Sequence, residues 1–361
     1  MSKQKTTTKI VPSVKNGKIE LFRFICAIII AIYHFNFSIE YKSEKFTKGY
    51  LAVEFFFIVT GYLMAKSLSK YTDDPDNKFD LFDTSLKYVA KKISSFYCFY
   101  IAAIIITSAA WIPYFKLPVK EYFFKLFDAV PTFLLLQMVG FKTADWYVPI
   151  WYLSAMVIVT IILTPILLRF PKSYSLYIGP FLSLGLLGFI FVNVGHYNAS
   201  LIIKGRPPYG LMRAFAEISI GCTCFYLEKC GYLKKLREKS ASVIAIICYI
   251  LSFVYMYNNY KNDHEFLSII LITVASIITF HNKNTFTFLN NRFVYFLGKL
   301  SLPIFLVHSV SRYTIPKWIP QFSHYSLYMM LYLVATIILS IVCYYMGLGI
   351  KKGFTLLSKA K

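Results

Sequence analysis

Apolar residues fall along this chain in blocks about 20 long, separated by short polar and lysine-rich stretches. At a rise of 1.5 Å per residue such a block matches the hydrocarbon thickness of a bilayer, so each predicts a membrane-spanning helix. The pattern places about ten spans, near residues 20–39, 49–68, 93–113, 148–168, 174–194, 208–227, 242–258, 264–281, 294–313 and 325–348. One further apolar stretch, 122–140, is broken by Lys125, Asp128 and Pro131. It reads as interfacial or re-entrant rather than as a full crossing. The expected fold class is all-α: a polytopic membrane protein of about ten transmembrane helices that enclose a polar cavity.

The polar stretches set the orientation. The N-terminal tail, the loop "TDDPDNKFDLFDTSLKYVAKK", the loop "EKCGYLKKLREKSA" and the tail "IKKGFTLLSKAK" share one side and carry roughly twice the positive residues of the opposite loops. That side is expected to be cytoplasmic, with both termini there, in the plasma membrane. The first apolar run resembles a signal sequence, but it is long and no small-residue cleavage site follows, so it is expected to stay as an anchor. The expected organisation is a cytoplasmic tail at 1–18, one transmembrane domain at 19–350 and a short cytoplasmic tail at 351–361.

Composition agrees. Of 361 residues, 57% are hydrophobic and 19% aromatic, and the net charge is +22. In a soluble protein that charge would suggest nucleic acid; here the lysines cluster between apolar blocks and no nucleic-acid motif accompanies them, so no nucleic-acid partner is expected. The seven cysteines lack paired metal-ligand spacing, and no metal is expected.

Ionisable residues inside the apolar blocks are costly in hydrocarbon and therefore informative. The first span, "IELFRFICAIIIAIYHFNF", carries Arg23 near its inner end and His34 about 16 Å further along the helix axis. Span two runs inward and places Glu54 near the outer surface; span nine runs outward and brings His308 to a similar depth; span six contributes Arg213, with Glu217 one turn below. Four helices thus place polar groups at one level, which points to a cavity beneath the outer face. The competing reading is that these are ion pairs holding helices together, for example Glu54 with Arg213. At the inner face Arg23, Lys66, Lys91 and Lys92 stand where a polyphosphate from the cytosol would land, although positive residues also flank cytoplasmic helix ends for orientation alone.

The residues resemble a family at this point. Arg23 and His34 in the first span, followed by "GYLAVEFFFIVTGYLMA", are similar to the opening signature of the acyltransferase-3 family of integral membrane acyltransferases. "IWYLSAMVIVTIILTPIL" resembles its Trp-x-Leu-Ser span, "RAFAEISIGCTCFYLEK" its arginine-led span, and "LGKLSLPIFLVHS" its late span ending in histidine. The resemblance implies transfer of an acyl group, usually acetyl, from cytosolic acyl-CoA (acetyl-CoA) to a hydroxyl of a carbohydrate at the outer face. Its first-span His and Arg map onto His34 and Arg23, and its second-span acidic residue onto Glu54. Two departures stand out. Where the family often has Arg-x-x-Arg, this chain has "KKISSFY", so Lys92 keeps the charge and Ser95 does not; where many members have Glu after the Leu-Ser, this chain has Met156. No esterase-like domain is expected to follow the last span, and on that expectation the acceptor leans toward a surface polysaccharide or its lipid-linked precursor.

Such a transfer needs a base for the hydroxyl proton and donors for the oxyanion. His34 is the expected base, with Glu54 hydrogen-bonded to its other nitrogen. Arg23, Lys91 and Lys92 are expected to bind the coenzyme, and Arg213, His308 and Ser154 to orient the acceptor or stabilise the oxyanion. Trp151 could stack on a sugar ring. No cysteine is placed to carry the acyl group, so direct transfer is expected. The alternatives are a glycan or small-molecule transporter or flippase, which would show inverted repeats, and a polysaccharide polymerase, which would carry a large outer loop.

Overall fold

The computed structural model describes residues 16–36, 45–74, 76–115, 118–141, 150–198, 207–258, 264–318 and 325–359. These form thirteen α-helices, with no strand among the described residues: α1 (Gly17–Asn36), α2 (Ala52–Thr72), α3 (Leu81–Phe115), α4 (Val119–Asp128), α5 (Val130–Phe133), α6 (Trp151–Arg169), α7 (Pro171–Ser173), α8 (Gly179–Val194), α9 (Tyr209–Lys229), α10 (Glu238–Tyr257), α11 (Glu265–His281), α12 (Arg292–Trp318) and α13 (Tyr325–Lys359). The protein is an all-α, multi-pass membrane protein. Among the described residues eight helices are long and apolar enough to cross a bilayer: α1, α2, α3, α6, α8 with the turns before it, α10, α12 and α13. The other two expected spans are helices too. α11 is apolar but 17 residues long, and α9 has the length but carries Arg213, Glu217, Glu228 and Lys229.

Two element boundaries differ from the sequence reading. The loop expected before the third span turns helical at Leu81, so α3 runs for 35 residues and Lys91 and Lys92 sit about three turns inside it. The tail expected from 351 is the continuation of α13 to Lys359. In both places the lysine-rich sequence suggests a loop, yet lysine is a good helix former and no proline interrupts 81–92 or 351–359.

The stretch 122–140 is broken as its Lys, Asp and Pro suggest: α4 ends at Asp128, α5 is one turn, and Leu135 takes a left-handed backbone (φ 58°). Backbone groups freed by the break are met by side chains, as buried backbone polar groups require. The Tyr100 hydroxyl donates to the Thr132 carbonyl and the Tyr97 hydroxyl to that of Phe133 at 3.2 Å. Ser154 donates to the Leu135 carbonyl (2.5 Å) and accepts from the Met138 amide (3.0 Å).

Helices α2, α6 and α12 are the most buried of the spans, while α3, α8 and α13 present most of their apolar surface outward. α2 packs along α9, and α1 along α12. The α2–α9 crossing is made by two glycines that face each other's backbone. A Cβ on Gly61 would overlap the Ile218 carbonyl, and one on Gly221 would overlap the Ile58 carbonyl. On the other pair, Gly298 of α12 leaves the space that the Glu20 side chain of α1 occupies.

Because the α2–α9 contact is backbone on backbone, no side chain can yield to relieve a clash. Gly61→Val is therefore expected to destabilise the protein by about 3 kcal/mol or more, read as a lower melting temperature in detergent. Gly185→Ala, at a helical position with open space around it, is the control and should leave the melting temperature unchanged or slightly raised.

Candidate active site

Arg23 and His34 are eleven residues apart on α1, and at about 100° per residue they fall within about 20° of each other on one face. The two ends of that face meet different surroundings. Near Arg23 a cavity of about 240 Å³ opens between α1, α2, α3, α6 and α12. Arg23 lines it together with Glu20, its ion-pair partner at 3.1 Å, and with Lys92 of α3. Lys91, one residue away and so turned by about 100°, is exposed and is not among the lining residues. Of the four inner cations singled out from sequence, Arg23 and Lys92 line the cavity together, while Lys66 and Lys91 are not among its lining residues. Both departures from the family pattern, Ser95 and Met156, lie in the cavity wall, where the Thr60 hydroxyl points to the Met156 sulfur at 3.9 Å.

At the far end of the face His34 is half-buried and stacks on the buried His308 ring, centroid to centroid 5.0 Å and 30° apart. The two histidines come from α1 and α12, the pair whose close packing begins at Gly298. His308 Nδ1 lies 3.2 Å from the Ile304 carbonyl. A carbonyl only accepts, so this bond puts the proton on Nδ1 and leaves a lone pair on Nε2. Nε2 is buried without a hydrogen-bond partner. Tyr332 of α13 donates to the Ala31 carbonyl at 3.0 Å and to that of His308 at 3.4 Å, which holds the two backbones in register. Arg312, one turn beyond His308, is close enough to interact electrostatically with both histidines. Sequence reasoning passed over Arg312; its spacing of four from His308 was the available signal.

Glu54 does not reach His34. Its Oε1 accepts from Arg213 Nη2 at 2.5 Å, and its Oε2 is buried without a hydrogen-bond partner. Arg213 is itself buried, donating also to Glu217 (3.0 Å) and to the carbonyls of Tyr197 and Tyr50 (3.0 Å each). The expected hydrogen bond to imidazole gives way for a simple reason: a carboxylate beside a guanidinium forms the stronger, charge-assisted pair. The ion-pair reading of Glu54 with Arg213 is the one the structure displays.

A second buried pair, absent from the sequence reading, adjoins this one. Lys48 approaches Glu265 at 3.9 Å, while Glu265 accepts from the Tyr50 hydroxyl and from the Tyr197 amide (2.7 Å). Lys48 and Glu265 stand at span ends and read there as ordinary boundary charges. Tyr50 and Tyr197 thus link the two ion clusters, and Tyr33, edge-on to both Tyr50 and His34, links them to the histidines. Trp151 is buried with the Arg213 guanidinium 5.8 Å from its ring and packs on Phe57. Ser154 is used to pin the chain at 135–138. Neither side chain faces open space in this arrangement. Among the described residues no group of three or more His, Cys, Asp or Glu is placed to hold a metal.

A cavity with cations at one end and an imidazole pair beyond the other suits a negatively charged, elongated donor and a proton-transfer step. Comparison with known proteins bears on the reaction class. No curated protein and no solved structure matches the chain significantly. The family model described as an acyltransferase domain matches residues 16–345, which includes every residue of the candidate site. The chain belongs to the acyltransferase-3 family of membrane acyltransferases.

Proposed function

We propose that this membrane acyltransferase moves an acyl group, acetyl in the simplest case, from cytosolic acyl-CoA to a hydroxyl of an extracytoplasmic polysaccharide or of its lipid-linked precursor. The reading places the chain in the plasma membrane with both termini cytoplasmic, so that Arg23 faces the cytosol. The observation that carries it is the face of α1: Arg23 opens into a cavity shared with Lys92, and His34, on the same face, stacks on His308. Guanidinium and ammonium suit the coenzyme's phosphates. Its flexible pantetheine arm is long enough to bridge the two levels.

His34 takes the proton of the acceptor hydroxyl. The oxygen attacks the thioester carbon, the C–O bond forms as the C–S bond breaks, and the proton passes to the departing sulfur to give the free coenzyme thiol. The lone pair on His308 Nε2 accepts a hydrogen bond from the sugar and orients it. Arg312 supplies positive charge at the level where the oxyanion develops. Among the described residues no cysteine lines the cavity, which supports direct transfer over a covalent acyl-enzyme. Glu54 enters this reading as the partner of Arg213, and so as a positioning residue. A transporter or flippase would use the same charges as a path, but it would release no coenzyme thiol.

His34→Ala is expected to lower acyl transfer on the order of a hundredfold or more while acyl-CoA binding, followed by calorimetric titration, stays as in wild type. Near wild-type transfer would remove His34 from the base role. Arg23→Ala should weaken acyl-CoA binding by roughly tenfold, the loss of one charge-assisted contact, and flatten its salt dependence. Lys91→Ala should change neither, and equal effects of the two substitutions would sink the donor assignment. Glu54→Ala removes one partner of a buried arginine and is expected to cost about 3 kcal/mol of stability, seen as a lower melting temperature. A Glu54→Ala protein that melts like wild type yet has lost transfer would return Glu54 to the chemistry.

A further inference from the structure

We infer that Phe56, Tyr152 and Phe305 form an aperture between the donor cavity and the histidine pair, and that Phe305 sets which acyl groups pass it. The inference rests on the donor reading above. From its basic end the cavity runs toward three aromatic rings, one each from α2, α6 and α12. Tyr152 is the hub, with Phe305 edge-on to it at 5.4 Å and Phe56 edge-on at 6.2 Å. Phe305 also contacts the His308 ring, three residues further along α12, at 6.1 Å. Phe305 therefore lines the cavity and touches the histidine pair as well. Rings at these centroid distances are in contact, so an acyl chain passes between them only when one ring swings aside.

The three rings are not equally held. Tyr152 packs on Phe57 at 4.5 Å and on Trp151 at 6.5 Å, so it is held by rings outside the aperture contacts as well. Phe305 and Phe56 have no polar anchor. Phe56 leans on Phe55 at 5.8 Å, whereas Phe305 stands between Tyr152 and His308, so it is Phe305 whose rotation would open the way toward the histidine pair.

Two consequences follow from this placement. With its phosphates held at Arg23 and Lys92, the donor enters with the acyl end leading, so acyl bulk meets the rings before the thioester meets His34. The closed rings also keep water from the far side off the thioester. Opening them without an acceptor would let water attack the thioester carbon, breaking the C–S bond and giving the free carboxylic acid and the coenzyme thiol.

The test uses the purified full chain in liposomes, with acetyl-, butyryl- and octanoyl-CoA as donors and soluble oligosaccharides as acceptors. Thiol release is followed with a thiol-reactive dye, and acylated sugar by mass spectrometry. Phe305→Ala is expected to raise the octanoyl-to-acetyl rate ratio by about tenfold or more, the scale on which pockets discriminate methylenes, and to raise the share of donor lost to water. Phe305→Leu should fall between it and wild type, and Phe56→Ala should shift both readouts in the same direction. If Phe305→Ala does not fold, Phe305→Leu and Phe56→Ala decide the question. Unchanged acyl preference and unchanged hydrolysis in the folded variants, with a wild type that turns over acetyl-CoA, overturns the aperture alone. A wild type that releases thiol from none of the three donors overturns the donor reading and the aperture with it.

Discussion

A guanidinium removed from water is tolerable only where its donors are met, and the arrangement around Arg213 meets them with two carboxylates and two backbone carbonyls. That requirement ties together α2, α9 and the turn after α8. It fixes register more than it adds stability, because the gain from a buried ion pair is largely offset by its desolvation. A one-residue slip of α2 would turn Glu54 by about 100° and leave charges unpaired in the core. With Glu54 held, Phe56 and Thr60 follow at set positions further down the helix, and both are walls of the cavity beside Arg23. The neighbouring Lys48–Glu265 pair shares Tyr50 and Tyr197 with this cluster and brings α11 into the same arrangement.

Much of this was readable from the order of residues alone. Each expected span is a helix, because a block of apolar residues about as long as the bilayer is thick has no other way to satisfy its backbone. Arg23 and His34 were conspicuous because each is costly in hydrocarbon and neither is needed to orient the chain. What stayed hidden was partner choice. Glu54, His34, His308 and Arg213 were all assigned to one depth, but depth does not reveal which helices are neighbours, and Glu54 went to the cation rather than to the imidazole. Lys91 and Lys92 are indistinguishable as a dipeptide; only the phase of α3, set by a start at Leu81, puts one in the cavity and the other outside. Ser154 shows a further use that its motif does not reveal, since its hydroxyl holds an irregular stretch of backbone at Leu135 and Met138.

The cavity is less charged than the family resemblance implies. Ser95 and Met156 replace an arginine and a glutamate of the common pattern, and Glu20 offsets Arg23 at the mouth. Lys92 is left as the cation beside that pair. An apolar wall of Met156, Leu153 and Phe96 between the charges and the rings favours the uncharged middle of an elongated ligand over a second ionic group.

The common face of Arg23 and His34 also constrains how this protein can change. A single-residue insertion between them would advance His34 by only about 1.5 Å yet rotate it by about 100°, away from α12 and out of the stack with His308. A deletion would do the same in the opposite sense. The face is restored only in whole turns: four residues bring it back to within about 40° and lengthen the first span by about 6 Å, and seven bring it back to within about 20° and lengthen it by about 10 Å, each a mismatch with the bilayer. The interval between the two residues is therefore quantised: side chains on this helix can be exchanged one at a time, but its length cannot be adjusted in small steps.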